Sequence, residues 1–303
     1  MIVDCFTHTW ESADQLGRCV PVPSARGPDS LDGNVMARAG AGRHATASEP
    51  VDTTLVLGFT SQYLDANISN DQVASYVATQ SERMIGFAGI DPSDPKEAIA
   101  ELARARAELG LAGLAVAPAA QDVHPSHSQA MRVYAEAAEQ GMPIVFHSGI
   151  FICGATKLEY ARPFLLDEVA RELPDLKVVI AHMGYPWVGE TLLLLAKHRN
   201  VFAETSWLLQ HPWEAYQALS SACERGVIDK LLFGSGFPHA SASQCIEALY
   251  SINHLVHGTN LSNIPREALR GIVERDTLAL LGIPKPRPDL EPAPTVANGD
   301  TPT

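Results

Sequence analysis

Short apolar runs alternate with stretches of helical period along most of this chain. Eight runs stand out, at residues 2–6, 54–59, 84–89, 111–117, 143–147, 177–182, 201–205 and 230–235. They are rich in Val, Ile and Leu and do not alternate strictly with polar residues, which is the pattern of strands buried on both faces. Helical stretches fall between them. Asp94 and Pro95 suit the cap and first turn of a helix, and Ala98, Leu102, Ala105 and Leu109 continue it along one stripe. Further helices are predicted over 128–140, ended by Gly141, and over 160–173, 188–198, 213–224, 243–256 and 265–281. Strands and helices in this alternation predict an α/β fold, a (β/α)8 TIM barrel forming a single domain over 1–283. An open doubly wound sheet is the runner-up, but no Gly-rich turn follows the first strand.

Two stretches break the pattern. Residues 17–50 are rich in Gly, Ala, Pro and Ser and show no amphipathic period, so they read as a long irregular excursion after the first strand. Residues 284–303 are proline-rich with little apolar content and read as a disordered tail.

Composition adds limits rather than a function. The 303 residues are 46% hydrophobic and 19% charged, with a net charge of −13. An acidic chain argues against nucleic acid and anionic membrane as partners and says nothing of the substrate, since a pocket can be locally basic. No run of about 18 apolar residues is present, so no membrane span is expected. The five cysteines are odd in number and form no CxxC pair. Together with an N-terminus lacking a basic, then apolar, leader, they suit reduced thiols in a cytoplasmic protein.

Chemistry-bearing residues collect at the predicted strand ends, where barrels place their active sites. His8 lies just past the first strand in MIVDCFTHTW, His147 ends PIVFH, and His182 ends KVVIAH. Imidazole at such positions serves as a metal ligand or as an acid–base group near neutral pH.

The phrases DPSDP, EQGMPIVFHSG, LEYARPFLLDEVARELPDLKVVIAHMGYPWV, VFAETS and LLFGSGFPH carry a resemblance. With IPREALRGIVERDTLALLGI, they resemble the amidohydrolase superfamily, in its amidohydrolase-related, decarboxylase-like branch. The resemblance implies a metal held by His-x-His on the first strand, a His on the fifth and an Asp on the eighth, with a Lys on the fourth. Here those places read Phe6-Thr7-His8, His147, Gly236 and Ala115, so the metal site looks degenerate.

The expectation is therefore an enzyme without metal or other cofactor, using His182, His147 and His8 for acid–base chemistry. Its substrate would be a small cyclic or aromatic molecule, with or without a carboxylate, undergoing decarboxylation, cyclisation or lactone opening. Phe6, Trp10, Ala115, Phe151, Arg162, Glu204, Trp207 and Gly236 are the expected substrate-binding residues. Two alternatives stay open. One is a Zn- or Mn-dependent hydrolase or decarboxylase with its metal on His8, His147 and either Glu204 or His182. The other is a non-catalytic pseudoenzyme or binding subunit. The resemblance also implies a homodimer.

Overall fold

The computed structural model describes residues 1–18, 39–149 and 153–286. Its frame is one sheet of eight parallel strands: β1 (Val3–Thr7), β2 (Thr53–Leu57), β5 (Met84–Gly89), β6 (Gly113–Val116), β7 (Ile144–Phe146), β8 (Val178–Ile180), β9 (Val201–Glu204) and β10 (Leu231–Leu232). An antiparallel hairpin of β3 (Phe59–Ser61) and β4 (Ala66–Ile68) follows β2. The chain after β10 returns to β1 and closes the barrel. Cys5 N donates to Phe233 O (2.9 Å), Gly236 N to Phe6 O (3.0 Å) and His8 N to Phe237 O (3.0 Å). Leu55, Leu57, Phe87, Val145, Val179 and Leu232 pack with Phe6 inside, joined by Leu278 and Leu281 from the last helix.

Helices fill the intervals where the apolar period places them, and their ends follow local chemistry. Asp94 caps Pro95–Ala107 by accepting from Lys96 N (2.9 Å) and Glu97 N (3.2 Å). The helix predicted over 160–173 is shortened, because Pro163 opens a 3-10 turn before Leu166–Glu172. The one predicted over 265–281 is two helices, Arg266–Glu274 and Thr277–Leu281. Arg275 is extended between them, and Asp276 caps the second by accepting from Ala279 N (3.2 Å). Among the described residues, no helix is long and apolar enough to cross a membrane.

The excursion after β1 is only partly as expected. Residues 19–38 and the tail from 287 onward lie outside the described residues. Residues 41–47, expected to be irregular, form the helix Ala41–Ala47. Tertiary contact holds it rather than an apolar period. Its His44 is fully buried, with Nε2 2.9 Å from Thr7 Oγ1 and Nδ1 2.8 Å from the Tyr76 hydroxyl. Thr7 in turn donates to Leu55 O (2.7 Å), so one chain of hydrogen bonds ties the excursion to β1 and β2.

The hairpin can lie against β5 because Gly89 has no side chain. A Cβ there would stand 2.4 Å from Phe59 N and 2.6 Å from Gly58 C, closer than packed atoms approach. Gly89→Ala is therefore expected to lower the unfolding free energy by about 1–3 kcal/mol, read as a lower urea midpoint at unchanged m. An unchanged midpoint would mean that the hairpin does not pack there.

Candidate active site

Backbone alternation at the end of β1 sorts its side chains. Thr7 points outward to His44, while Phe6 and His8 face a cavity at the C-terminal ends of the strands. His8 Nδ1 lies 2.9 Å from Leu57 O. A carbonyl only accepts, so the proton sits on Nδ1 and Nε2 keeps its lone pair. The Phe6 ring packs against three imidazoles, with centroids 5.0 Å from His8, 5.5 Å from His147 and 4.7 Å from His182.

His182 is held by more partners. It follows β8 in the left-handed region at φ +55°, as does Met183 at φ +49°. Few non-glycine residues adopt this backbone unless their surroundings fix it. Here the fixing group is Glu204, at the end of β9, which is fully buried. Its Oε1 accepts from His182 N (2.6 Å) and from the Ser206 hydroxyl (2.8 Å), and its Oε2 accepts from Ser206 N (2.7 Å). Gly234 leaves the room: a Cβ there would stand 2.1 Å from Glu204 Oε2. Ser206 Oγ also lies 2.7 Å from His182 Nδ1. Since Ser206 gives its hydrogen to Glu204, it accepts from His182 Nδ1–H, leaving a lone pair on His182 Nε2. His147 Nε2 lies 3.0 Å from that nitrogen and supplies the hydrogen between them.

Of the residues expected at the site, His8, His147, His182, Phe6, Trp10, Ala115, Trp207 and Gly236 line this one cavity. Three do not. Glu204 is turned away, with both oxygens spent on His182 and Ser206, so it supports His182 rather than touching a substrate. Arg162 is exposed and pairs with Glu190, away from the cavity lining. Phe151 lies outside the described residues. One contributor, Ser206, was not anticipated at the site. His239, after β10, lines the cavity edge-on to Trp207 at 5.3 Å. Its signal was the His of the GFPH phrase. Ser206 sits in AETS, and its role depends on a tertiary hydrogen bond that no spacing announces.

Removal from water dominates the electrostatics. It lowers His8, His44 and His239 to about 4, His147 to about 3, and His182 well below its usual value. Neighbouring imidazoles lower most of them further. The unfolded chain would protonate these groups near pH 6.5, so stability is lost as pH falls from there toward 4. Burial also raises Asp4 to about 6 and Glu204 to about 7, which acts the other way, since the folded chain keeps those protons longer. Five imidazoles outweigh two carboxyls. The urea midpoint is expected to be lower near pH 4.5 than near pH 7, and a higher one would put the imidazoles in water.

A family model described as Amidohydrolase matches residues 3–275. A search of curated proteins found no match. Solved structures share the fold. An uncharacterized TIM-barrel protein from Bordetella bronchiseptica is 19% identical with a TM-score of 0.72, over 93% of this chain and 99% of its own. A probable 2-pyrone-4,6-dicarboxylic acid hydrolase from Acinetobacter baumannii is 15% identical with a TM-score of 0.62, over 93% and 99%. A dihydroxybenzoic acid decarboxylase from Polaromonas sp. JS666, crystallised with manganese and 2-nitroresorcinol, is 16% identical with a TM-score of 0.66, over 93% and 96%.

The bound manganese overturns the expectation that a chain of this kind works without a cofactor. The described residues do not themselves complete a manganese site. Manganese favours carboxylate and water oxygens beside imidazole, and Glu204 is fully engaged elsewhere. The Phe6 ring stands among the three imidazoles, and among the described residues no group of three or more His, Cys, Asp or Glu could hold a metal. The match over residues 3–275 and the shared barrel make this chain an enzyme of the amidohydrolase family.

Proposed function

We propose that this enzyme acts on a small aromatic or conjugated ring by proton transfer through His182, in a reaction of the lyase or hydrolase type. The observation that carries this reading is the hydrogen-bonded chain from Glu204 through Ser206 to His182, whose unprotonated Nε2 accepts from His147 at the cavity wall. Such an arrangement is that of a general base. Substrate displaces His147 Nε2–H from His182 Nε2, which then takes a proton from the substrate, and the charge that develops on the imidazole is stabilised through Nδ1–H, Ser206 and Glu204. The principle is that of a histidine oriented by a buried carboxylate, here with a hydroxyl between them. The proton then returns to the ring or to the leaving group. His147, 3.0 Å away, is the second proton-handling group.

The walls suit a flat substrate. Phe6, Trp10 and Trp207 supply rings for stacking or edge contact, and Ala115 and Gly236 leave space between them. The similar structures named for a dihydroxybenzoic acid and for a 2-pyrone acid support a ring of this size.

The test is turnover of phenolic acids, their decarboxylated phenols and 2-pyrones in D2O, followed by proton NMR, with the protein alone and with added manganese. Ring deuteration, carboxyl loss or ring opening is expected, slowed by His182→Ala on the order of 10²-fold or more. A rate that His182→Ala leaves unchanged contradicts the reading. Ser206→Ala is expected to lower kcat roughly tenfold or more with little change in KM, and Ser206→Thr to keep most of the rate. Equal losses in both variants would leave Ser206 a purely structural residue.

A further inference from the structure

Taking the cavity as the substrate site proposed above, a reading on which this rests, we infer that Trp207 is its specificity-determining residue. A strained turn holds the indole in the space that a second fused ring of a substrate would fill.

The turn is set by the residues that flank it. Ser206 and Leu208 are both fully buried. Ser206 is tied to Glu204 through its N–H and its hydroxyl, and Leu208 packs in the larger apolar core. Between them the chain reverses at Trp207, with φ +58° and ψ −49°, and Leu208 N donates to Ser206 O (2.5 Å). This is the γ-turn of the rare, strained kind, a backbone that a bulky residue seldom adopts. Gly236 packs against it, where a Cβ would stand 3.0 Å from Ser206 Cβ. The closing bond is made by backbone alone, so a glycine would complete the same turn without strain. Tryptophan is thus unfavourable for the fold here, and its ring does nothing to close the turn. Strain of this kind gathers at ligand sites.

What the ring does is stand in the cavity wall. His239 meets it edge-on at 5.3 Å. His211 lies against it at 5.8 Å and is itself stacked on Tyr185 at 5.9 Å. Held by both histidines, the indole does not swing aside for a wider ligand. Among the described lining residues, His182 and Trp207 are the two non-glycine residues at positive φ. One carries the base, and the other fills space beside it. Phe6 and Phe59 enter the same cavity from strands, where a side chain needs no such backbone. Indole is itself two fused rings, so its removal opens room for one more ring of a flat ligand.

Calorimetric titration of the whole chain near pH 7.5 compares two pairs of probes that differ by one fused ring. They are 2-hydroxybenzoate with 3-hydroxy-2-naphthoate, and phenol with 2-naphthol. Each is titrated with excess manganese chloride and again after dialysis against chelator. The ratio of affinities within a pair is read, so that contacts common to both members cancel. Trp207→Gly is expected to shift that ratio toward the fused ring by about tenfold or more relative to the unaltered chain. In urea, Trp207→Gly is expected to unfold at a higher midpoint than Trp207→Ala, because both lose the indole and glycine alone relieves the turn. A ratio that Trp207→Gly leaves unchanged overturns the inference, and so does the absence of binding by every probe. So does a midpoint for Trp207→Ala equal to or above that of Trp207→Gly, the order expected of an unstrained backbone. Failure here is distinct from failure of the acid–base reading. A shifted ratio in a protein whose turnover ignores His182→Ala keeps the role of Trp207 and removes the base, and an unshifted ratio beside His182-dependent turnover does the reverse.

Discussion

The carboxylate of Glu204 holds the site together. It is fully buried, and its two oxygens take three hydrogen bonds, from His182 N, Ser206 N and the Ser206 hydroxyl. A buried carboxyl is costly unless so paired. Burial favours the protonated form and the three donors favour the ionised one, and the balance lies near 7. The same contacts do two jobs at once. The bond to His182 N stabilises a backbone at φ +55° that a histidine seldom adopts, and the bond through Ser206 sets which ring nitrogen carries the proton. Gly234 belongs to this arrangement, because any side chain there would collide with the carboxylate.

Around that anchor the barrel supplies rigidity and dryness. β1 is fastened on both sides, to β2 by its ladder and to the stretch after β10 by the bonds of Cys5, His8 and Gly236. Behind it His44 ties the excursion to Thr7. His8 and Phe6 thus have little freedom, and the ring of Phe6 spaces the three imidazoles. The low basicity of all four cavity histidines follows from the exclusion of water around them.

The barrel and the strand-end histidines are legible in the chain because each depends on local pattern. Buried parallel strands need unbroken apolar runs, and the face at their C-terminal ends follows from the topology. Glu204 was legible as a site residue but not in its role, since the sequence does not say whether a strand-end carboxylate faces the cavity or a neighbouring loop. Ser206 and His44 act through partners far along the chain, at Glu204 and His182 for one and at Thr7 and Tyr76 for the other. The helix Ala41–Ala47 was invisible for the same reason, as its only large buried side chain is that histidine. The split of the last helix was hidden because apolar period continues across Arg275 and Asp276, although the Asp side chain prefers a cap.

The most direct test of this arrangement is the tautomer of His182, read from the ¹⁵N shifts of its ring by long-range proton–nitrogen NMR near pH 7.5, with assignment by His182→Gln. The proton should reside on Nδ1, with Nε2 showing the shift of an unprotonated nitrogen, and Ser206→Ala should shift the population toward Nε2–H. A wild-type His182 carrying its proton on Nε2, or one unaffected by loss of the Ser206 hydroxyl, would contradict the proposed role of Glu204 and Ser206 and the base assigned to His182.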